Sequence, residues 1–256
     1  MKDKKVYIYG KHALAEALAH KPKAIGKIFL ADYVTDETLL SSVRASGIPV
    51  SSLGSGAVTK SLREDFSHQG VVATLNTENL MIPFKEFMKA VKPNANTSVV
   101  VLGGIEDPHN VGAIIRNAAA FGVSAVLMPE RNQSPVTGSV VKVSAGMVFR
   151  VPLVAVSNVN DALRKLKEAG FWVYGLEADG GTAIHEESFE RPSVFVFGNE
   201  SRGIREKTRE LCDTLVSIPI HHRCESLNVA SSAAVALYAW RARRLNLSRK
   251  QSDRRT

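Results

Sequence analysis

The 256-residue sequence is poor in cysteine, with only Cys212 and Cys224. Two thiols without C-x-x-C spacing make neither a disulfide framework nor a structural zinc site, and they suit a reducing cytosol. No apolar run approaches the ~18 residues that a membrane span requires; the longest, around Val99–Leu102, is strand-sized. The N-terminal MKDKKVYIYG carries lysines but no apolar stretch of the secretory kind. A cytoplasmic protein with no membrane partner is therefore expected. Three nucleotide and hydrolase signatures are also missing. There is no G-x-G-x-x-G opening a first helix, no G-x-x-x-x-G-K loop and no G-x-S-x-G elbow. Their absence argues against a Rossmann-type oxidoreductase or methyltransferase, a P-loop enzyme and an α/β-hydrolase. No internal repeat is visible.

What is present is an ordinary globular composition, 45% hydrophobic and 23% charged, with a net charge of +8. The charge is unevenly spread: Arg241–Thr256 carries +6 and Met1–Leu75 carries +3, which leaves −1 for the residues between. A basic end and a mildly basic front suit a polyanion, whose phosphates attract Lys and Arg with little sequence preference. A solvated terminal extension would look the same, so charge alone does not separate the two.

Hydrophobic periodicity divides the chain into an α/β unit and a second, larger α/β region. Residues 1–76 contain a helical pattern, HALAEALAH, and a strand, KIFLA. A second helix follows, with Asp36 as N-cap and Gly47 closing it, and then two short strands, IPVSSL and GVVATL. Residues 77–97 turn polar and irregular around a short helix, PFKEFMKAV, and read as a linker. From 98 to 245 six apolar runs (VVVLGGI, SAVLMP, VPLVAV, FWVYGLEA, SVFVFGN, TLVSIPI) alternate with helices. Near-continuous apolar strands of this kind indicate a mostly parallel sheet covered on both faces. Residues 246–256 read as a basic tail.

Three segments place glycine, small polar residues and single charges after apolar strands, where open α/β sheets bind ligands. In Glu106–Gly122, Asn110 stands where an N-cap would, and Arg116 lies in an otherwise small and apolar helix. A guanidinium among Ile, Ala and Val calls for an anionic partner, since burying it unpaired is costly. In Gly198–Ile204 a strand ends in Gly-Asn-Glu, a sharp turn with free backbone amides, with Glu200 beside it. In His221–Trp240, Ser226 and Asn228 open a helix of small residues. The adjacent His221–His222 pair lacks a third or fourth ligand at sensible spacing, so no metal is expected.

In this order the segments NVGAIIRNAAAFG (Asn110–Gly122), GNESRGI (Gly198–Ile204) and SIPI with SLNVA (Ser217–Ile220, Ser226–Ala230) resemble the motifs of the SpoU, TrmH-like family. These are RNA 2′-O-ribose methyltransferases of the SPOUT superfamily. YGKHALAEAL (Tyr9–Leu18) and HQGVVA (His68–Ala73) look like the ribosomal-protein-like substrate-binding domain of members that modify a large-subunit rRNA guanosine. The resemblance implies a SPOUT domain with a deep trefoil knot and a homodimer paired knot to knot. It also implies S-adenosyl-L-methionine bound near Gly198, Ile218, Leu227, Leu176 and Asn228. The catalytic set carried over by motif is Arg116, Asn110, Glu200, Ser226 and Asn228. The implied partner is 23S rRNA or a large-subunit assembly intermediate. The chain departs from the family pattern at HHRCE (His221–Glu225), which is bulkier and more charged than the small, glycine-containing stretch that the resemblance leads one to expect there.

A ribose 2′-hydroxyl must lose its proton as it attacks the methyl carbon, so the enzyme chiefly aligns partners and manages one proton. A guanidinium scarcely gives up a proton near neutrality. Arg116 is accordingly expected to orient a phosphate, with a phosphate oxygen or water taking the proton, and Glu200 to pair with an arginine. Alternatives are a tRNA 2′-O-methyltransferase, an antibiotic-resistance rRNA methyltransferase of similar plan, and a non-catalytic RNA-binding protein on the same scaffold.

Overall fold

The computed structural model describes residues 6–54 and 68–252. The first five residues of the lysine-bearing start and residues 253–256 of the expected basic tail lie outside the described residues. By contact the chain divides into two units, Met1–Met81 with Val136–Arg150, and Ile82–Pro135 with Val151–Thr256.

In chain order the elements begin with β1 (Val6–Tyr9), α1 (Lys11–His20), β2 (Ile25–Leu30), α2 (Glu37–Ser46), β3 (Val50–Ser52) and β4 (Val71–Leu75). There follow β5 (Met81–Pro83), α3 (Phe84–Ala90), β6 (Ser98–Gly103), α4 (Pro108–Phe121), β7 (Ala125–Pro129), α5 (Gly138–Val143) and β8 (Leu153–Val156). The chain continues through α6 (Val159–Glu168), β9 (Trp172–Leu176), β10 (Thr182–Ala183) and β11 (Ser193–Gly198). It ends with α7 (Glu206–Arg209), β12 (Thr214–Ser217) and α8 (Val229–Ser252).

The first unit is built on a four-stranded sheet in the order β1-β4-β2-β3. β4 runs antiparallel to both β1 and β2, while β2 and β3 are parallel. The expected caps of α2 are present: Asp36 Oδ1 accepts from Leu39 N at 3.1 Å, and Gly47 takes the left-handed conformation at φ 66°. The surprise is the segment from Val136 to Arg150, assigned by its place in sequence to the larger domain. It packs instead on the first unit, α5 lying against β1. A Cβ on Gly138 would come within 2.4 Å of the Tyr7 carbonyl oxygen, so the two backbones meet directly. Arg150 then grips Glu16 of α1 with two hydrogen bonds, Nε to Oε2 at 2.6 Å and Nη2 to Oε1 at 2.8 Å. Nothing local announces such contacts, because they join residues more than 130 positions apart.

The second unit carries an eight-stranded sheet in the order β10-β12-β9-β11-β6-β7-β8-β5. All six apolar runs form strands, and neighbours from β10 to β8 pair in parallel. β6 and β11 are buried almost end to end, as expected of strands covered on both faces. Phe87, Val101, Leu127, Leu163, Leu166 and Val196 share one core cluster. The expected linker is corrected here. Its helix α3 packs on β8, and Phe87, 7% exposed, sits in that core. Phe84, Phe87, Met88 and Val91 supply a helical apolar stripe that the surrounding polar residues disguise. α7 is a single turn. α8 runs past Leu245 to Ser252, so the segment taken as a tail begins as helix.

Candidate active site

Because β6, β11, β9 and β12 are neighbouring parallel strands, their C-terminal ends emerge on one edge of the sheet. Gly103 pairs with Gly198, and Phe197 with Leu176, whose other neighbour is Val216. After Gly198 the chain folds back on itself. Asn199 N donates to Gly203 O at 3.0 Å and Gly203 N returns a bond to Asn199 O at 2.9 Å. The turn is so tight that a Cβ on Gly198 would fall 2.2–2.5 Å from the backbone of Gly203 and Ile204.

α4 begins one turn earlier than its sequence suggests. Asp107, not Asn110, is the cap, its Oδ1 accepting from His109 N at 2.8 Å, with Pro108 as first helical residue. Gly122 closes the helix at φ 74°. Freed from capping, Asn110 is buried at 8% exposure and binds through both ends of its amide. Its Nδ2 donates to Glu200 Oε1 at 2.9 Å, and its Oδ1 accepts from Asn228 Nδ2 at 2.9 Å. Asn228 Oδ1 in turn accepts from Ala230 N at 2.8 Å, capping α8. One chain of side-chain hydrogen bonds thus ties the starts of α4 and α8 to the turn after β11. A carboxylate can only accept, so Glu200 sets which way the Asn110 amide faces, and Asn110 then sets Asn228.

Arg116 is not part of this chain. The helix buries Asn110, Val111, Gly112, Ile114, Ile115 and Ala118, and Arg116 is exposed. Six residues beyond Asn110, it lies about 240° further round the helix. Its guanidinium makes no ion pair among the described residues, so the buried, partnered arginine expected from its apolar neighbours is corrected to a solvent-facing one. The expected pairing of Glu200 with an arginine is likewise replaced by its bond to Asn110. Ser226 is exposed and its side chain joins no hydrogen bond among the described residues.

The SpoU rRNA Methylase family profile matches residues 97–238, and that for RNA 2′-O ribose methyltransferase substrate binding matches residues 7–81. The chain belongs to the SpoU rRNA methylase family. The 23S rRNA (guanosine-2′-O-)-methyltransferase RlmB of Nitrosomonas europaea is 35% identical over 91% of this chain and 89% of its own length. A Synechocystis protein named an uncharacterized tRNA/rRNA methyltransferase is 32% identical over 90% of this chain. This chain spans only 61% of that longer relative. Among solved structures, the SpoU methyltransferase AviRb of Streptomyces viridochromogenes, in complex with AdoMet, superposes with a TM-score of 0.78. It covers 94% of this chain and 91% of its own at 21% identity, a likeness of fold.

Within this SpoU domain the residues carried over for the cofactor lie along the strand ends: Leu176 closes β9, Gly198 closes β11, and Ile218 follows β12. Leu176 and Ile218 are half-buried, and Leu227 is 39% exposed. Leu176 and Ile218 thus place apolar side chains beside strand-end backbone on the same sheet edge as Gly198. Gly198 serves its own turn, since the space beside its Cα is filled by Gly203 and Ile204. Sequence reasoning passed over two organising residues. Asn199 Oδ1 accepts from Ser201 N at 3.0 Å and Arg202 N at 3.2 Å, while its Nδ2 holds Gly104 O at 2.8 Å. Asn117 Nδ2 donates to Ala230 O at 3.0 Å, fastening α4 to α8. Asn after a strand-ending glycine is an Asx-turn signal that could have flagged the first; the second leaves no local signal.

Proposed function

We propose that this chain transfers a methyl group from S-adenosyl-L-methionine to the ribose 2′-hydroxyl of a guanosine in 23S rRNA. The observation that carries the reading is the Glu200–Asn110–Asn228 chain, which brings all three family motifs to one sheet edge. Substrate choice rests on relatives named 23S rRNA (guanosine-2′-O-)-methyltransferase RlmB, 34–35% identical in Nitrosomonas and Pseudomonas over about nine-tenths of this chain. The cofactor supplies an activated methyl group. Leu176, Ile218 and Leu227, with nearby backbone, hold it in the knotted fold that the family implies. Asn110 and Asn228 orient the nucleotide and the loop backbone, and Glu200 fixes their direction. Arg116, exposed and without an ion pair among the described residues, grips an RNA phosphate with its planar fork. A phosphate oxygen or water takes the 2′-hydroxyl proton, since a guanidinium makes a poor base.

The protein acts in the cytoplasm as a homodimer. Val235 and Tyr238 of α8 are 39% and 63% exposed, and Tyr238 meets Phe121 of α4 edge-on, an apolar surface suited to a second copy. The test is transfer of labelled methyl from S-adenosyl-L-methionine to 23S rRNA transcript, large-subunit assembly intermediates and pooled tRNA, with nucleosides analysed after digestion. Arg116→Ala should abolish transfer and leave cofactor affinity unchanged; Arg116→Lys should remain severely impaired. Label confined to tRNA would move the substrate class. No transfer to any RNA together with no cofactor binding would leave an RNA-binding protein on this scaffold.

A further inference from the structure

The turn between β12 and α8 is unlike the rest of the site. Residues Pro219 to Asn228 are exposed without interruption, yet the loop is ordered by its own bonds. Cys224 N donates to His221 O at 2.9 Å, and Arg223 N donates to His221 Nδ1 at 3.3 Å. The rings of His221 and His222 are adjacent and tilted to one another, with centroids 4.1 Å apart and planes 33° from parallel. Arg223 makes no ion pair among the described residues. At its far end the loop is fixed to the candidate site, because Asn228 donates to Asn110.

Two adjacent, mutually tilted imidazoles and a guanidinium without an ion pair among the described residues, held beside the site and left to solvent, are poorly explained by folding. They bury nothing and satisfy nothing but their own turn. A flat ring exposed in water is a stacking surface for a base, and a guanidinium is a fork for a phosphate. The cofactor, by contrast, needs apolar side chains and backbone, which Leu176, Ile218 and Leu227 supply without the side chains of His221, His222 and Arg223. We propose that His221, His222 and Arg223 are substrate-contact residues that bind the RNA nucleotide flanking the methylated one, the rings by base stacking and Arg223 by its phosphate. The proposal rests on the ribose-methylation reading and names a specificity element of that same site.

The experiment compares full-length wild type with His221→Ala/His222→Ala, Arg223→Ala and His222→Phe. It measures the KM for RNA and kcat in methylation, RNA affinity by filter binding, and S-adenosyl-L-methionine affinity by calorimetry. The double alanine and Arg223→Ala variants should each raise the RNA KM about tenfold with cofactor affinity unchanged. His222→Phe, which keeps a flat ring, should stay near wild type. A steeper salt dependence retained in the double variant and lost in Arg223→Ala would separate phosphate contact from stacking. Unchanged RNA affinity in both alanine variants overturns the proposal, as does lost cofactor affinity with RNA binding intact. If wild type binds RNA but methylates none, the ribose-methylation reading fails, and filter binding still decides the role of the turn.

Discussion

Replacing Gly198 with alanine should damage the protein more than the same replacement at Gly203 or Gly181, for a reason that is purely steric. An alanine Cβ there would lie 2.2 Å from Gly203 C, 2.4 Å from Ile204 N and 2.5 Å from Gly203 O. Ordinary contacts between such atoms are about 3.5–4.0 Å, so the returning turn must retreat by more than 1 Å, on the order of a bond length. All three atoms are backbone and cannot rotate away. Relief therefore opens the Asn199–Gly203 bridge, with its 3.0 and 2.9 Å hydrogen bonds, and adds overpacking strain, together about 3 kcal/mol or more. Gly203→Ala meets no atom within 4 Å but must hold φ at +64°, which costs about 1–2 kcal/mol. Gly181→Ala meets neither obstacle and should fall within about 0.5 kcal/mol of wild type. At about 2–4 °C per kcal/mol, thermal unfolding followed by circular dichroism should order the variants 198 below 203 below 181. The first should drop by about 6–12 °C. Gly198→Ala melting with wild type would refute the close-approach reasoning, and with it the view that this glycine serves the turn.

Three further outcomes follow from other residues. Asn110→Asp cannot donate to Glu200, and it sets a second carboxylate against the first. Methyl transfer should fall about 10- to 100-fold, and a fully active variant would dismiss the hydrogen-bond chain as ornament. The Arg150 hydrogen bonds hold the Glu16 carboxyl below its ordinary value of 4.5, outweighing the opposing effect of burial. A depressed carboxyl contributes stability that is fully present above pH 4.5 and lost as pH falls through the lowered value. Glu16→Gln should therefore flatten the acid limb of urea-unfolding stability, and an unchanged limb would contradict the pairing. Burial, reinforced by Glu177 and Asp213, pushes the Cys212 thiol up to about 12, while Cys224 is exposed. At pH 8 a disulfide reagent should titrate one thiol quickly and none in Cys224→Ala; two fast thiols would show that Cys212 is reachable.

The residues of the candidate site were legible unequally. Asn110, Glu200 and Asn228 stand in recognisable motifs, and the structure joins them; what differs is the cap expected of Asn110 and the arginine expected beside Glu200. Asn110 looked like a cap because Asn is a common one, but Asp107 lay three residues earlier with Pro108 behind it. Arg116 looked buried because its sequence neighbours are apolar, whereas on a helix the residues three and four away decide which face is shared. Phe87 was hidden among polar residues in what read as a linker and lies in the core.

The sequence by itself determined the α/β class, the six parallel strands, the caps of α2 and the closing of α4 by Gly122. These depend on side-chain periodicity and on backbone preferences within a few residues, and such signals are written locally. Only the tertiary structure decided that Val136–Arg150 belongs with the first unit, that Glu200 answers Asn110 rather than an arginine, and that Asn199 and Asn117 tie the site together. Each of those depends on a hydrogen bond or backbone contact between groups brought together from distant parts of the chain. Such a bond is specified by shape after folding, and it leaves no period in the sequence from which to read it.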